Sequence, residues 1–367
     1  MKLLWPTFFA AEAGAAFARS MLDAFAPGQQ PQPQAEQVWA TPNTVVLHLG
    51  AARLRRFGPA PKIHRKGQSG RRSPTPILVC APFALHDARI ADLCEGHSLI
   101  AALRAGAAPV YLVEWLSVNT SQAFRGIDDY LADLNVMVDE IGGFCHFVGL
   151  CQGGWLSLIY AARFPAKAGR LVVAAAPVDT HVMDSPLSAL ARSTPFETFR
   201  ELVQFGDGLA RGAEALQFWD RTAHSAEQIH DLLQSDLPLD SPHFAAKAAL
   251  FRDWTSRPLD LPGAYYLEVV EKLYRGNQLA LGQFVALGRS IDLHDIRQPL
   301  YLIAARDDEV AAPEQTMACA GLVGTPAREI RQTIVPGGHL HLFFGSKALK
   351  ALWPGVVAWL GETSPGV

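Results

Sequence analysis

The segment His146-Phe147-Val148-Gly149-Leu150-Cys151-Gln152-Gly153-Gly154-Trp155 constrains this chain more than any other. An apolar run of strand length, Cys145 to Leu150, meets a sharp glycine-rich turn, and the run Leu156 to Ala162 behind it predicts a helix. Cys151 stands between Gly149 and Gly153, the arrangement a nucleophile needs on a strained strand-to-helix turn with no room for side chains beside it. Gly154 extends the same small-residue turn. A thiolate there is intrinsically more nucleophilic than an alkoxide and leaves readily from a thioester, so thioester exchange is the chemistry the turn suggests. The backbone N–H of Gln152 would stand at the positive start of the helix, able to donate to an oxyanion. A buried cysteine on a purely structural turn is the plain alternative, and the strand before and helix after it favour the nucleophile.

At 367 residues the chain is long enough for one large α/β domain or two small ones. A net charge of −3 offers no global argument for nucleic acid or an anionic membrane as partner. Five cysteines are an odd number without metal-ligand spacing, which indicates neither a disulfide framework nor a metal site and suits a reducing cytoplasm. Apolar runs fall short of membrane-spanning length, so no transmembrane segment is expected. Met1 to Phe25 reads as an amphipathic helix, since Glu12, Arg19 and Asp23 interrupt what would otherwise resemble a leader. Docking of that helix on the body is favoured over contact with a partner or a hydrophobic particle. Gly28 to Gln37, rich in Gly, Pro and Gln, reads as a linker.

The body alternates strand and helix: strands at Thr44–Leu49, Pro76–Pro82, Val110–Trp115, Cys145–Leu150 and Arg170–Ala176, with helices at Leu99–Ala105 and Ile127–Ile141. Arg53 to Arg72 gathers eight basic residues among prolines and glycines and reads as a solvated loop, with coenzyme A phosphates as its ligand alternative. Met183 to Leu261 carries aromatic residues but no convincing strand, and reads as a helical cap that excludes water and shapes an apolar entrance. The sheet resumes at Pro299–Ala304, a last strand runs from Glu329 to Val335, and a terminal amphipathic helix is predicted over Ser346–Gly361. The expected organisation is an N-terminal helix and linker (1–40), a first core part (41–182), the cap (183–262) and a second core part (263–367).

Asp308 follows the penultimate strand and His339 follows the last one on a Gly337-Gly338 turn. The order Cys, Asp, His, each at a strand's C-terminal end, is that of the α/β-hydrolase triad, so the expected fold is a mostly parallel sheet flanked by helices with a helical cap. His339 would take the Cys151 proton and Asp308 would orient the imidazole, with His341 and Asp307 as the competing residues. The second oxyanion donor is expected from a backbone N–H near Ala84 or Leu85, after the strand that ends at Pro82.

These residues resemble the catalytic subunit of class III polyhydroxyalkanoate synthases. The resemblance runs from about Val45 to Leu360 and is carried by Val110-Tyr111-Leu112-Val113-Glu114-Trp115, Asp128-Asp129-Tyr130, the box from Gly149 to Gly154, Pro177-Val178-Asp179, Leu273-Tyr274 with Asn277, Asp308, and Gly337-Gly338-His339. It implies a chain that polymerises 3-hydroxyacyl-coenzyme A through a Cys151 acyl-enzyme. Coenzyme A enters as part of the substrate and no cofactor is needed. It also implies a separate synthase subunit, or a second copy of this chain, as protein partner, and a cytoplasmic place at polyhydroxyalkanoate granules. Glu309 departs from it by replacing the histidine common after the aspartate. The cap from Asp184 to Trp254, with Asp179–Ala191 and His339–Pro354, looks at least as much like the related intracellular polyhydroxybutyrate depolymerases, which makes ester or thioester hydrolysis the alternative activity. A non-enzymatic granule-surface protein is disfavoured because nucleophile, acid and base are all retained.

Overall fold

Alternation along the buried strands decides the architecture. The computed structural model describes residues 38–59, 74–219 and 225–362. The expected N-terminal helix and linker, and most of the basic loop beyond Gly58, lie outside the described residues. Strands β1 (Asn43–His48), β2 (Ala52–Phe57), β3 (Ile77–Cys80), β4 (Val110–Trp115), β5 (Cys145–Leu150), β6 (Ala168–Ala174), β7 (Leu300–Ala305) and β8 (Ile330–Val335) form one sheet. Their spatial order is β1-β2-β4-β3-β5-β6-β7-β8. Only β2 runs against the direction of the rest of the sheet; every neighbouring pair in the order from β4 to β8 is parallel.

A parallel sheet needs cover on both faces, and successive residues supply it. In β3, Ile77 and Val79 enter one apolar layer while Leu78 and Cys80 enter the other; Val110 and Leu112 in β4 alternate likewise with Tyr111 and Val113. One layer is closed by α1 (Leu99–Leu103) and the C-terminal helices, the other by α2 (Ile127–Glu140) and α3 (Gln152–Arg163). Burial on both faces explains why these strands read as continuous apolar runs.

Between β6 and β7 the chain builds the expected helical insertion: α4 (Pro186–Ser193), α5 (Phe196–Phe205), α6 (Gly212–Trp219), α7 (Ala226–Leu233) and α8 (Pro242–Thr255). A two-stranded ribbon that the sequence hides pairs Leu209 and Ala210 with Pro262 and Leu261. Most of the described cap aromatics are packing residues: Phe199, Phe244, Phe251 and Trp254 are buried, whereas Phe205 is exposed. Helix α9 (Gly263–Glu268) continues into a π-helical turn, Val269–Arg275, before the sheet resumes. After β8, the terminal helix is split into α10 (Ser346–Ala351) and α11 (Trp353–Leu360), with Pro354 in the first turn of the second, where its missing N–H costs nothing.

The cap is bolted to the loop that follows β3. Arg89 is buried there, donating to Asp87 at 2.9 Å and to Asp253 of α8 at 2.9 Å. The Trp254 indole N–H donates to the Asp87 carbonyl at 3.2 Å, and the Leu259 N–H to the Leu85 carbonyl at 2.8 Å. The arginines expected in a solvated loop prove to belong partly to β2. Arg55 reaches the buried Glu114 of β4 through Nε at 2.6 Å, and Arg53 stands 3.8 Å from the same carboxylate. Alternation with buried Leu54 hid that strand among charges.

Candidate active site

The chain leaves β5 through a turn that only small neighbours permit. Cys151 adopts φ 51° and ψ −118°, a conformation an L-residue rarely accepts, and it sits immediately before α3. Its N–H donates to the Ala174 carbonyl of β6 and its own carbonyl accepts from Gly154, each at 2.8 Å. A Cβ on Gly149 would stand 2.5 Å from the Gly154 Cα, and one on Gly153 would stand 1.9 Å from the Cys80 carbonyl oxygen. On Gly154 it would meet the Ala176 Cβ at 2.6 Å. The three glycines of the turn are therefore fixed by close approach of helix to sheet, not by solvent exposure.

Two loops from the far half of the sheet converge at this end. Asp308, after β7, is buried and lies with its two oxygens 3.0 and 2.9 Å from the His339 Nδ1. Its Oδ1 also accepts the N–H groups of Val310 at 2.9 Å and Ala311 at 2.8 Å, which fix the carboxylate's orientation. His339 is buried too, and burial alone would lower its pKa. The Asp308 charge, then the charge of Cys151, and hydrogen bonds to both outweigh that and raise it well above the ordinary imidazole value. The structure thus brings Cys151, His339 and Asp308 together.

The competitors are engaged elsewhere. His341 Nδ1 accepts from the Gly338 N–H at 2.9 Å, and its Nε2 is 3.6 Å from Asp231, so it braces the turn that presents His339. Asp307 is exposed and accepts from the Gly337 N–H at 3.4 Å. The remaining cysteines are also buried, and burial pushes Cys80 and Cys319 up to about 12 and Cys94 to about 11, with Cys145 raised as well. They stay protonated at neutral pH.

The Gln152 N–H belongs to the first turn of α3, where backbone donors have no intrahelical acceptor. Leu85 lies on the loop after β3, held by its carbonyl against the cap residue Leu259. Among the described residues no cluster of His, Cys, Asp and Glu could hold a metal ion, and no helix is long and apolar enough to cross a membrane.

Three residues contribute through contacts that the sequence does not disclose. Glu309 accepts the His339 N–H at 3.2 Å, so the residue that departs from the synthase pattern here anchors the histidine's backbone. The acidic run Asp307-Asp308-Glu309 was the available signal. Tyr265 of α9 donates through its hydroxyl to the Gln152 Oε1 at 3.2 Å, a contact across more than a hundred residues that no local pattern announces. Asn277 was noticed without a role; its Nδ2 donates to Asp179 at 2.8 Å and its Oδ1 accepts the Thr180 N–H at 3.0 Å, tying the end of the π-helical turn to the segment after β6.

Comparison with known proteins places this geometry among relatives. Residues 221–364 match a family model described as the PHB de-polymerase C-terminus. The poly(3-hydroxyalkanoate) polymerase subunit PhaC of Allochromatium vinosum is 27% identical over 301 residues, covering 79% of this chain and 81% of that protein. The subunit of the same name from Synechocystis is 28% identical over 355 residues, 89% of this chain and 86% of that one. Among solved structures, the monoacylglycerol lipase of Paleococcus ferrophilus superposes with a TM-score of 0.50 at 15% identity, covering 78% of this chain and 95% of the lipase. That last likeness concerns the fold alone, an α/β-hydrolase fold. The chain is thus an enzyme similar to the polyhydroxyalkanoate polymerases over most of its length, with a second likeness in its C-terminal part to the PHB depolymerases.

Proposed function

We propose that this chain is an acyltransferase that polymerises 3-hydroxyacyl-coenzyme A through a cysteine acyl-enzyme. The observation that carries the proposal is Cys151 on its positive-φ turn together with the buried His339–Asp308 pair. In the first half-reaction His339 takes the thiol proton as the Cys151 sulfur attacks the thioester carbonyl. Coenzyme A leaves as its thiol, carrying that proton. In the second, His339 removes the proton from the 3-hydroxyl of an incoming acyl chain, whose oxygen displaces the Cys151 sulfur to form an ester, and the proton passes from His339 to the departing thiolate. Asp308 keeps the imidazole in one tautomer and stabilises its charged form. The Gln152 N–H, with a second N–H at Leu85, receives the oxyanion in both steps. The clamp from Arg89 and Leu85 to the cap supports that assignment, because it immobilises the loop that would carry the second donor.

The same acyl-enzyme would hydrolyse if water reached it, and the match of residues 221–364 to the depolymerase model favours that second activity. A granule surface, and a second subunit or a second copy of the chain, belong to the proposal as its setting. The decisive experiment incubates the purified chain with 3-hydroxybutyryl-coenzyme A, follows thiol release and identifies the acyl product by mass spectrometry. Oligomeric ester establishes the synthase and free 3-hydroxybutyrate the hydrolase. Turnover retained by Cys151→Ala would overturn both.

A further inference from the structure

Two tyrosines from the segment 263–275 flank the nucleophile, and they are used differently. Tyr265 gives its hydroxyl to Gln152. Tyr274, on the π-helical turn, is 4% exposed, and its hydroxyl has no hydrogen-bond partner among the described residues. A buried hydroxyl without a partner is costly and uncommon, and asks for an explanation. Single π-turns inside helices recur at functional sites. Burial first, then the charges of Cys151 and Asp308, raise its pKa well above the ordinary phenol value. The hydroxyl is therefore protonated, a buried donor without an acceptor among the described residues.

The backbone of the turn that carries the ring is also pinned. The Thr180 hydroxyl donates to the Leu273 carbonyl at 2.8 Å, His181 Nε2 lies 3.2 Å from the Tyr274 carbonyl, and Asn277 closes the turn against Asp179 and Thr180. Four residues commit polar groups to holding the turn of a tyrosine whose own hydroxyl has no hydrogen-bond partner among the described residues.

We infer that the Tyr274 hydroxyl donates a hydrogen bond to the oxygen on C3 of the acyl group carried by Cys151, and so selects 3-oxygenated acyl thioesters over plain ones. This rests on the acyl-enzyme proposed above. The carbonyl oxygen of that acyl group is served from the start of α3, so Tyr274, arriving on a different element, has the next oxygen along the chain within its province. A buried donor built for a substrate oxygen discriminates strongly, since an analogue lacking it leaves the donor unpaired.

The test is a single-turnover acylation of Cys151, read by intact mass, with 3-hydroxybutyryl-coenzyme A and with butyryl-coenzyme A, in the wild type and in Tyr274→Phe. The wild type should acylate with the hydroxylated substrate faster by about tenfold or more. Tyr274→Phe should lose about 10- to 100-fold on that substrate, leave the butyryl rate unchanged and melt at the same temperature or higher, since it removes an unpaired buried hydroxyl. Equal losses on both substrates, no loss on either, or a lowered melting temperature would overturn the inference while leaving the acyl-enzyme standing. A wild type whose Cys151 is acylated by neither thioester would overturn the acyl-enzyme, and the inference with it.

Discussion

Substitution of Gly153 by alanine adds one methyl group at the tightest point of the nucleophile turn, and the geometry sets the consequence. The new Cβ would lie 1.9 Å from the Cys80 carbonyl oxygen and 2.7 Å from its carbon. Real Cβ atoms stay beyond 3.0 Å, so the gap must open by 3.0 − 1.9 = 1.1 Å. The obstructing atom is the backbone of β3, which pairs with both β4 and β5, and cannot turn aside as a side chain would. Overpacking of a rigid core costs about 1–3 kcal/mol, and a backbone obstruction belongs at or above the top of that range. The start of α3 must retreat by about the same 1 Å, and a displacement of that size at a reacting group costs about 10²-fold in rate. Gly355→Ala is the internal control. It places the same methyl group on α11 with nothing within 4 Å, and should stabilise by about 0.5–1 kcal/mol through helix propensity. Urea denaturation of both variants gives the stability difference, and coenzyme A thiol release gives the rate. A Gly153→Ala protein within about 0.5 kcal/mol of wild type and with undiminished turnover would refute the close-approach account of the turn.

His339→Gln should abolish acylation, by about 10⁴-fold or more, whereas His341→Gln should retain it and lose about 1 kcal/mol of stability with the acceptor for Gly338; the reverse pattern in intact-mass assays would exchange their roles. His146 accepts the Arg170 N–H at 2.9 Å, and burial, then the Arg170 charge, push its pKa down from 6.5 to about 4. A depressed histidine pKa stabilises the fold fully above pH 6.5 and loses that contribution as pH falls through about 4, so unfolding free energy should drop by about 2 kcal/mol between pH 7 and 4.5 from this group. His146→Asn, whose Oδ1 takes the place of Nδ1 as acceptor for the Arg170 N–H, should flatten that slope in denaturant titrations; an unchanged slope would remove His146 from the acid response.

The buried parallel strands and the nucleophile turn were legible because such strands write themselves as unbroken apolar runs, as Val110–Trp115 and Cys145–Leu150 do. Asp308 and His339 were legible for a related reason: residues that end parallel strands collect at one edge of the sheet whatever their separation in sequence. What stayed hidden depends on partners far away. Arg53 and Arg55 look like loop residues until Glu114 is seen beneath them. The ribbon at Leu209–Ala210 is two residues long, below any periodic signal. Tyr265 and Glu309 contribute through contacts with Gln152 and the His339 backbone that depend on how distant loops meet.

That ribbon has a consequence for how such an enzyme could change. By pairing Ala210 with Leu261 it sets both ends of residues 211–260 side by side as one seam, while Asp253, Trp254 and Leu259 fasten the same stretch to the loop after β3. Cys151, Asp308 and His339 all lie outside the seam. Exchanging this stretch would leave Cys151, Asp308 and His339 on the body, and the new segment would have to restore the Asp253 and Leu259 anchors of the loop that carries Leu85 and the Asp231 neighbour of His341.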